Sequence, residues 1–154
     1  MDIHAKLKLL GLELPEAPKP VAAYVPAVRS GNLIYVSGQG PLKGAEVMMT
    51  GPVPSKVSFE QAQEAARLCI LNALAIVNDL IGGDWTQFVR VVHVRAFIHS
   101  DGDFTEQHLV ANGASNLLEE LLGEAGRHAR AALGTNSLPL GIPVEVELVV
   151  EVRS

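Results

Sequence analysis

A lone arginine in the run His128-Ala129-Arg130-Ala131-Ala132, and three glutamates near the C-terminus, Glu145, Glu147 and Glu151, are the residues whose type and setting could do chemistry. A guanidinium is planar and permanently charged, and its N–H groups form a fork that matches a carboxylate. A glutamate can hold or pass a proton. The plainer alternatives are a surface salt bridge for Arg130 and, for Glu145, pairing with an arginine of a neighbouring strand or subunit; Glu147 and Glu151 read as ordinary sheet-surface or subunit-contact residues. Ser37 precedes Gly38-Gln39; its hydroxyl can donate or accept, and the glycine permits close backbone approach.

Other chemistries are excluded by spacing. His93, His99 and His108 do not form a compact ligand set, and there is neither a cysteine pair nor a His-Glu-x-x-His sequence, so no metal is expected. Gly38-Gln39-Gly40-Pro41 lacks the Lys-Ser/Thr of a phosphate loop and the spaced glycines of a dinucleotide fingerprint. No cofactor is expected. Ser37 has no nucleophile-elbow pattern around it, which argues against a serine hydrolase.

The elements that must position these residues follow from hydrophobic period and turn chemistry. Asp2 to Leu10 can form a short amphipathic helix, and the three prolines of Leu14 to Pro20 then forbid regular structure, so residues 1–19 are expected to be a lead-in to a domain over 20–154. Val21 to Arg29 and Leu33 to Ser37 are β-rich runs separated by Ser30-Gly31-Asn32, the signature of a hairpin, with Gly38 ending the second strand. A third short strand can cover Glu46 to Thr50. Ser58 and Gln61 have capping-box form, and Ala62 to Leu80 follows with helical spacing up to Gly82-Gly83.

Val89 to His99 alternates as a strand, and Asp103 with Glu106 offers a cap to a second helix through Leu109, Val110, Ala114, Leu117, Leu118 and Leu121. His128 to Thr135 and Val144 to Val152 read as strands, the latter with Glu145 and Glu147 on one face and Val144, Val146 and Leu148 on the other. Arg127, an odd number of residues before Arg130, falls on the opposite face if its strand runs that far, and reads as solvated. The order β-β-(β)-α-β-α-β-β predicts an α+β sandwich, both helices on one face of a single sheet. Apolar strands such as Val89 to His99 require the other face to be covered too, and self-association is the simplest cover.

Composition narrows the class. Of 154 residues, 48% are hydrophobic and 19% charged, enough apolar content for one compact domain. The net charge of −5 and the absence of any Lys/Arg block argue against nucleic acid as principal partner. No stretch is long and apolar enough to span a bilayer, and Met1 to Pro18 lacks the form of a secretory signal, so membrane association and export are not expected. The one cysteine, Cys69, lies in a helical apolar pattern and reads as a buried thiol, which suits a reducing cytoplasm.

Four separated segments, Ala23-Tyr24-Val25, Val36-Ser37-Gly38-Gln39, His128-Ala129-Arg130-Ala131 and Pro143-Val144-Glu145-Val146-Glu147, resemble in type and order those of the Rid (YjgF-type) family. The resemblance covers roughly residues 20–153, and Asn112-Gly113-Ala114-Ser115 with Gly126-Arg127-His128-Ala129-Arg130 look like its longer-chain, endoribonuclease-like branch. It implies a chorismate-mutase-like α+β fold, a homotrimer and three clefts at subunit interfaces. It further implies an enamine or imine deaminase acting on acids such as 2-aminoacrylate or 2-iminobutanoate to give 2-keto acids and ammonia.

By the same resemblance Arg130 grips the substrate carboxylate and Glu145 positions the attacking water or moves the proton. Tyr24, Ser37, Gly38, Asn112 and Ala132 line the cleft, with Tyr24 equally able simply to pack. His128, two residues before Arg130, shares its side and either adds specificity or packs at an interface. One departure is Ala132, where many active relatives carry cysteine or serine. It keeps open a non-catalytic carboxylic-acid binder or sensor of the same fold. Ribonuclease activity, which some family labels imply, is disfavoured by the charge, and chorismate mutase chemistry by the single convergent cation.

Overall fold

The computed structural model describes residues 2–19 and 23–154. Pro20 and the first two residues of the expected strand run from Val21 lie outside the described residues; the strand itself, β1, covers Ala27–Ser30. A two-residue turn, with Gly31 at φ +60°, returns the chain into β2, Leu33–Gln39. The expected hairpin is present, with Ser30 opposite Leu33.

β2 does not stop at Gly38. Its partner is the last strand, β7 (Val144–Val152), and the register passes from Val36 opposite Leu148 to Gln39 opposite Val146. Three steps on one strand against two on the other make a bulge at Ser37-Gly38. Beyond it, β3 (Leu42–Lys43) and β4 (Glu46–Val47) form a small separate hairpin. Its second strand is the shortened form of the one expected over Glu46 to Thr50.

Helix α2 spans Phe59–Leu80 and opens with the reciprocal Ser58–Gln61 capping box, which satisfies two otherwise orphaned amides. Strand β5 is Phe88–His99 and helix α3 is Gln107–Leu122. The cap expected from Asp103 and Glu106 does not form: α3 begins later, and no side chain caps it. Instead the Asp101 carboxylate accepts from the Ser55 amide and hydroxyl, and the Gln107 amide donates to the Phe104 carbonyl at 2.7 Å. The chain then enters β6 (Ala129–Thr135) and β7.

The main sheet has the order β1-β2-β7-β5-β6, antiparallel except for the parallel pair β5–β6. α2 packs over β2 and β7, and α3 over β5 and β6, so both helices cover one face. Ile34 and Val36, Val91, Val94, Ala96 and Ile98, and Val144, Val146, Leu148 and Val150 are the buried side of that face. Each fully buried aliphatic side chain contributes about 1.5–3 kcal/mol.

The helices approach closely at Gly113, where an added Cβ would collide with the backbone of Gln63. A short N-terminal helix, α1 (Ile3–Leu9), packs on α3 with Ile3 and Leu7 buried in the same core. The lead-in is therefore packed against the domain it precedes. No helix among the described residues is long and apolar enough to cross a membrane.

Among the described residues, no helix lies on the opposite face of the sheet. It presents Val28, Tyr35, Val149 and His93 in one cross-strand row, Glu147 and Arg95 in the next, and Glu145, Phe97 and Leu133 beyond.

Candidate active site

The expected site residues fall into two groups on opposite faces of the sheet. Arg130 stands opposite Val94 of β5 in register, and Val94 is buried beneath the helices. Facing partners in neighbouring strands share a face, so Arg130 emerges on the helical side of the edge strand and meets α3. Its Nη1 donates to Asn112 Oδ1 at 2.9 Å and to Ser115 Oγ at 3.1 Å, and its Nη2 donates to the His108 carbonyl at 3.0 Å. A guanidinium has five N–H groups. Three are engaged here, which leaves Nε–H and one Nη2–H to bind a planar anion.

Asn112, expected to line the cleft, thus lies against Arg130. Ser115 was not singled out in the sequence, although the spacing of three that puts it on the Asn112 face of a helix was readable. His128 also joins this group: its Nε2 is 2.9 Å from Ser115 Oγ and its Nδ1 2.6 Å from the Gly126 carbonyl. Burial, above all, holds the imidazole below its ordinary range, against the pull of the Gly126 carbonyl. Ala132, half-buried on the same side and opposite Ala96, adds no polar atom. Arg127 turns away, exposed, and pairs with Glu119 at 2.9 Å and Glu124 at 3.1 Å.

Glu145 belongs to the other face. It stands opposite Phe97, and its carboxyl occupies the space that a side chain on Gly38 would fill: a Cβ there would come within 2.8 Å of Glu145 Cδ. The β2 bulge produces that approach. Ser37 Oγ donates to the Val25 carbonyl at 2.8 Å, which ties the segment carrying exposed Tyr24 to the same place. Glu147 takes the neighbouring Arg95 at 3.2 Å, whereas Glu145 has no ion pair or side-chain hydrogen bond among the described residues. Partial burial, with a smaller contribution from Glu147, raises the Glu145 carboxyl above the usual range and makes it a weaker acid.

Beneath this group Asn72, almost wholly buried, donates to the Gly40 and Leu42 carbonyls at 3.1 and 2.9 Å and so fixes the end of the bulge. Nothing in the sequence marked it beyond a polar residue in an apolar helix.

One chain therefore brings Arg130, Asn112, His128 and Ala132 together, and separately Tyr24, Ser37, Gly38 and Glu145, but not the two sets. Two surface depressions of about 540 and 590 Å³ lie elsewhere, beside α1 and the Pro15–Lys19 segment, and neither includes Arg130 or Glu145.

A main mixed sheet backed on one face by two helices is an architecture that this chain shares with known proteins. A family model described as endoribonuclease L-PSP matches residues 14–152, and the chain belongs to that family, the YjgF/RutC group of Rid proteins. It is 40% identical over 153 residues to protein TCP17 of Trypanosoma cruzi, covering 99% of this chain and 95% of that protein. It is 29% identical over 143 residues to a 2-iminobutanoate/2-iminopropanoate deaminase of Dermatophagoides farinae, covering 92% and 95%. Among solved structures, an Agrobacterium tumefaciens protein described as of unknown function superposes with a TM-score of 0.91 at 46% identity, covering 99% of this chain and 92% of that one.

Proposed function

We propose that the chain is a deaminase of reactive imine and enamine acids, hydrolysing compounds of the 2-aminoacrylate and 2-iminobutanoate type to 2-keto acids and ammonia. The observation that carries this reading is the held guanidinium of Arg130, with three N–H groups fixed on α3 and two left for a carboxylate. An α-carboxylate bound there bidentately is fixed in position and orientation, which a point charge could not achieve. Similarity to a protein named as a 2-iminobutanoate/2-iminopropanoate deaminase supports the substrate class.

An enamine such as 2-aminoacrylate first becomes the imine by gaining a proton at its β-carbon; water then attacks the C=N carbon as a proton reaches nitrogen, and the tetrahedral adduct expels ammonia and leaves the keto acid. A carboxyl raised toward neutrality can donate the proton to nitrogen and take one from water, and Glu145, with its raised carboxyl, is the group we assign to that work. Because Arg130 and Glu145 occupy opposite faces of their own sheet, a complete site needs Arg130 from one copy and Glu145, Ser37, Gly38 and Tyr24 from another. A homotrimer with three such clefts supplies that arrangement, and the uncovered sheet face is the surface available for it. Buried, unpaired Cys69 is compatible with a reducing compartment, and we assign the protein to the cytoplasm.

The test is ammonia and keto-acid release from freshly generated 2-aminoacrylate and 2-iminobutanoate. We expect release by the wild type and a loss of at least about 100-fold in kcat/KM on Arg130→Ala, as removal of a charged substrate anchor implies. Unchanged release in that variant would overturn the assignment. Ala132 favours a second reading, carboxylic-acid binding without turnover. Tight keto-acid binding with no hydrolysis of either imine would select it.

A further inference from the structure

The hydrogen bonds behind Arg130 have a fixed direction. A backbone carbonyl only accepts, so the 2.6 Å contact to Gly126 puts a hydrogen on His128 Nδ1. In a neutral ring Nε2 is then an acceptor, and the 2.9 Å contact makes Ser115 the donor to it. With its hydrogen committed to His128, Ser115 Oγ turns a lone pair toward Arg130 Nη1 at 3.1 Å. Asn112 Oδ1, one helical turn earlier, receives the other Nη1 hydrogen.

Burial of the imidazole and the nearby Arg130 and His93 side chains favour the neutral ring; the Gly126 carbonyl and Glu119 act the other way. Without His128 the Ser115 hydrogen is free to rotate toward the guanidinium and set donor against donor. Without Ser115 the Nη1 group has a single anchor, and a side chain with many rotamers regains its freedom.

We infer that Ser115 and His128 are positioning residues for Arg130, an ordered relay from the Gly126 carbonyl that holds the guanidinium with its free N–H groups set for an α-carboxylate. This rests on the reading of Arg130 as the carboxylate grip. Neither residue touches substrate. Their effect falls on binding of the carboxylate, which is common to the imine and the keto-acid product.

The experiment uses the intact protein with 2-oxobutanoate, a stable keto acid, as the calorimetric ligand, and 2-iminobutanoate for kinetics. Ser115→Ala is expected to weaken 2-oxobutanoate binding and raise KM about tenfold, the loss of one charged hydrogen bond, with kcat changed by less than about threefold. Ser115→Thr, which keeps the hydroxyl, should restore binding to within about twofold, and His128→Phe should weaken it about threefold to fivefold. In the wild type, nitrogen-15 NMR of the ring should find the hydrogen on Nδ1.

A hydrogen on Nε2 would overturn the relay. So would wild-type 2-oxobutanoate binding by Ser115→Ala while Arg130→Ala binds none. If Arg130→Ala itself binds like wild type, the carboxylate grip fails first and the relay with it.

Discussion

Glu145 shows how one backbone detail sets a side chain's chemistry. Its carboxyl lies where Gly38 has no side chain, half-buried beside Glu147, and its folded-state affinity for a proton is raised. A raised carboxyl contributes stability at pH values below its unfolded value near 4.3 and loses it as pH rises through the folded value. Glu145→Gln should therefore raise Tm at pH 7 by no more than about 2–4 °C, a gain that vanishes in acid, while kcat falls at least about 100-fold. Thermal scans from pH 3 to 8 beside the deaminase assay check both.

His128 has the opposite sign. Its depressed value contributes stability that is present above about pH 6.5 and lost as pH falls through the folded value. The Tm difference between wild type and His128→Phe should narrow or reverse in favour of the variant as pH falls from 7 to 5. In the sequence Arg130 and Glu145 stood out by type and setting, and Asn112 only through the family resemblance. That Arg130 and Glu145 face opposite ways was not, because alternation fixes parity within a strand but says nothing of the register between β6 and β7.

At the scale of elements, α3 carries the acceptors that hold Arg130, and its distance from α2 is set by Gly113. Gly113→Ala should destabilise the fold by about 1–3 kcal/mol through backbone overlap and displace Asn112 and Ser115 with it. Denaturant midpoints and 2-oxobutanoate binding would fall together. The capping box of α2 and the strand alternation of β7 were readable because each depends on residues close in sequence. The start of α3 was not: the helix begins only at Gln107, past the expected Asp103 cap, with no side-chain cap at all. The bulge at Ser37-Gly38 was missed because a bulge exists only against a partner strand, and β7 lies at the other end of the chain.

For the whole molecule, the decisive property is the separation of the two groups across the sheet. If each cleft draws Arg130 from one copy and Glu145 from the next, two inactive variants complement one another. Arg130→Ala and Glu145→Gln, co-expressed in equal amounts and randomly mixed, should recover about a quarter of the wild-type sites, because one site in four receives both intact residues. Recovery of none would mean that Arg130 and Glu145 do not meet in a shared site. Light scattering should report a trimer, and a charge introduced at Tyr35 on the open face should dissociate it.

The edge position of β6 has a further consequence. A strand with one unpaired side is a template for unwanted pairing, and β6, Ala129–Thr135, contains a single charged residue, Arg130. We expect the guanidinium to act also as a gatekeeper against aggregation. Arg130→Ala leaves a strand of alanines, leucine, glycine and threonine and should sediment partly as larger species. Arg130→Lys should stay dispersed yet lose the bidentate grip, which makes lysine the cleaner probe of catalysis and alanine the probe of solubility.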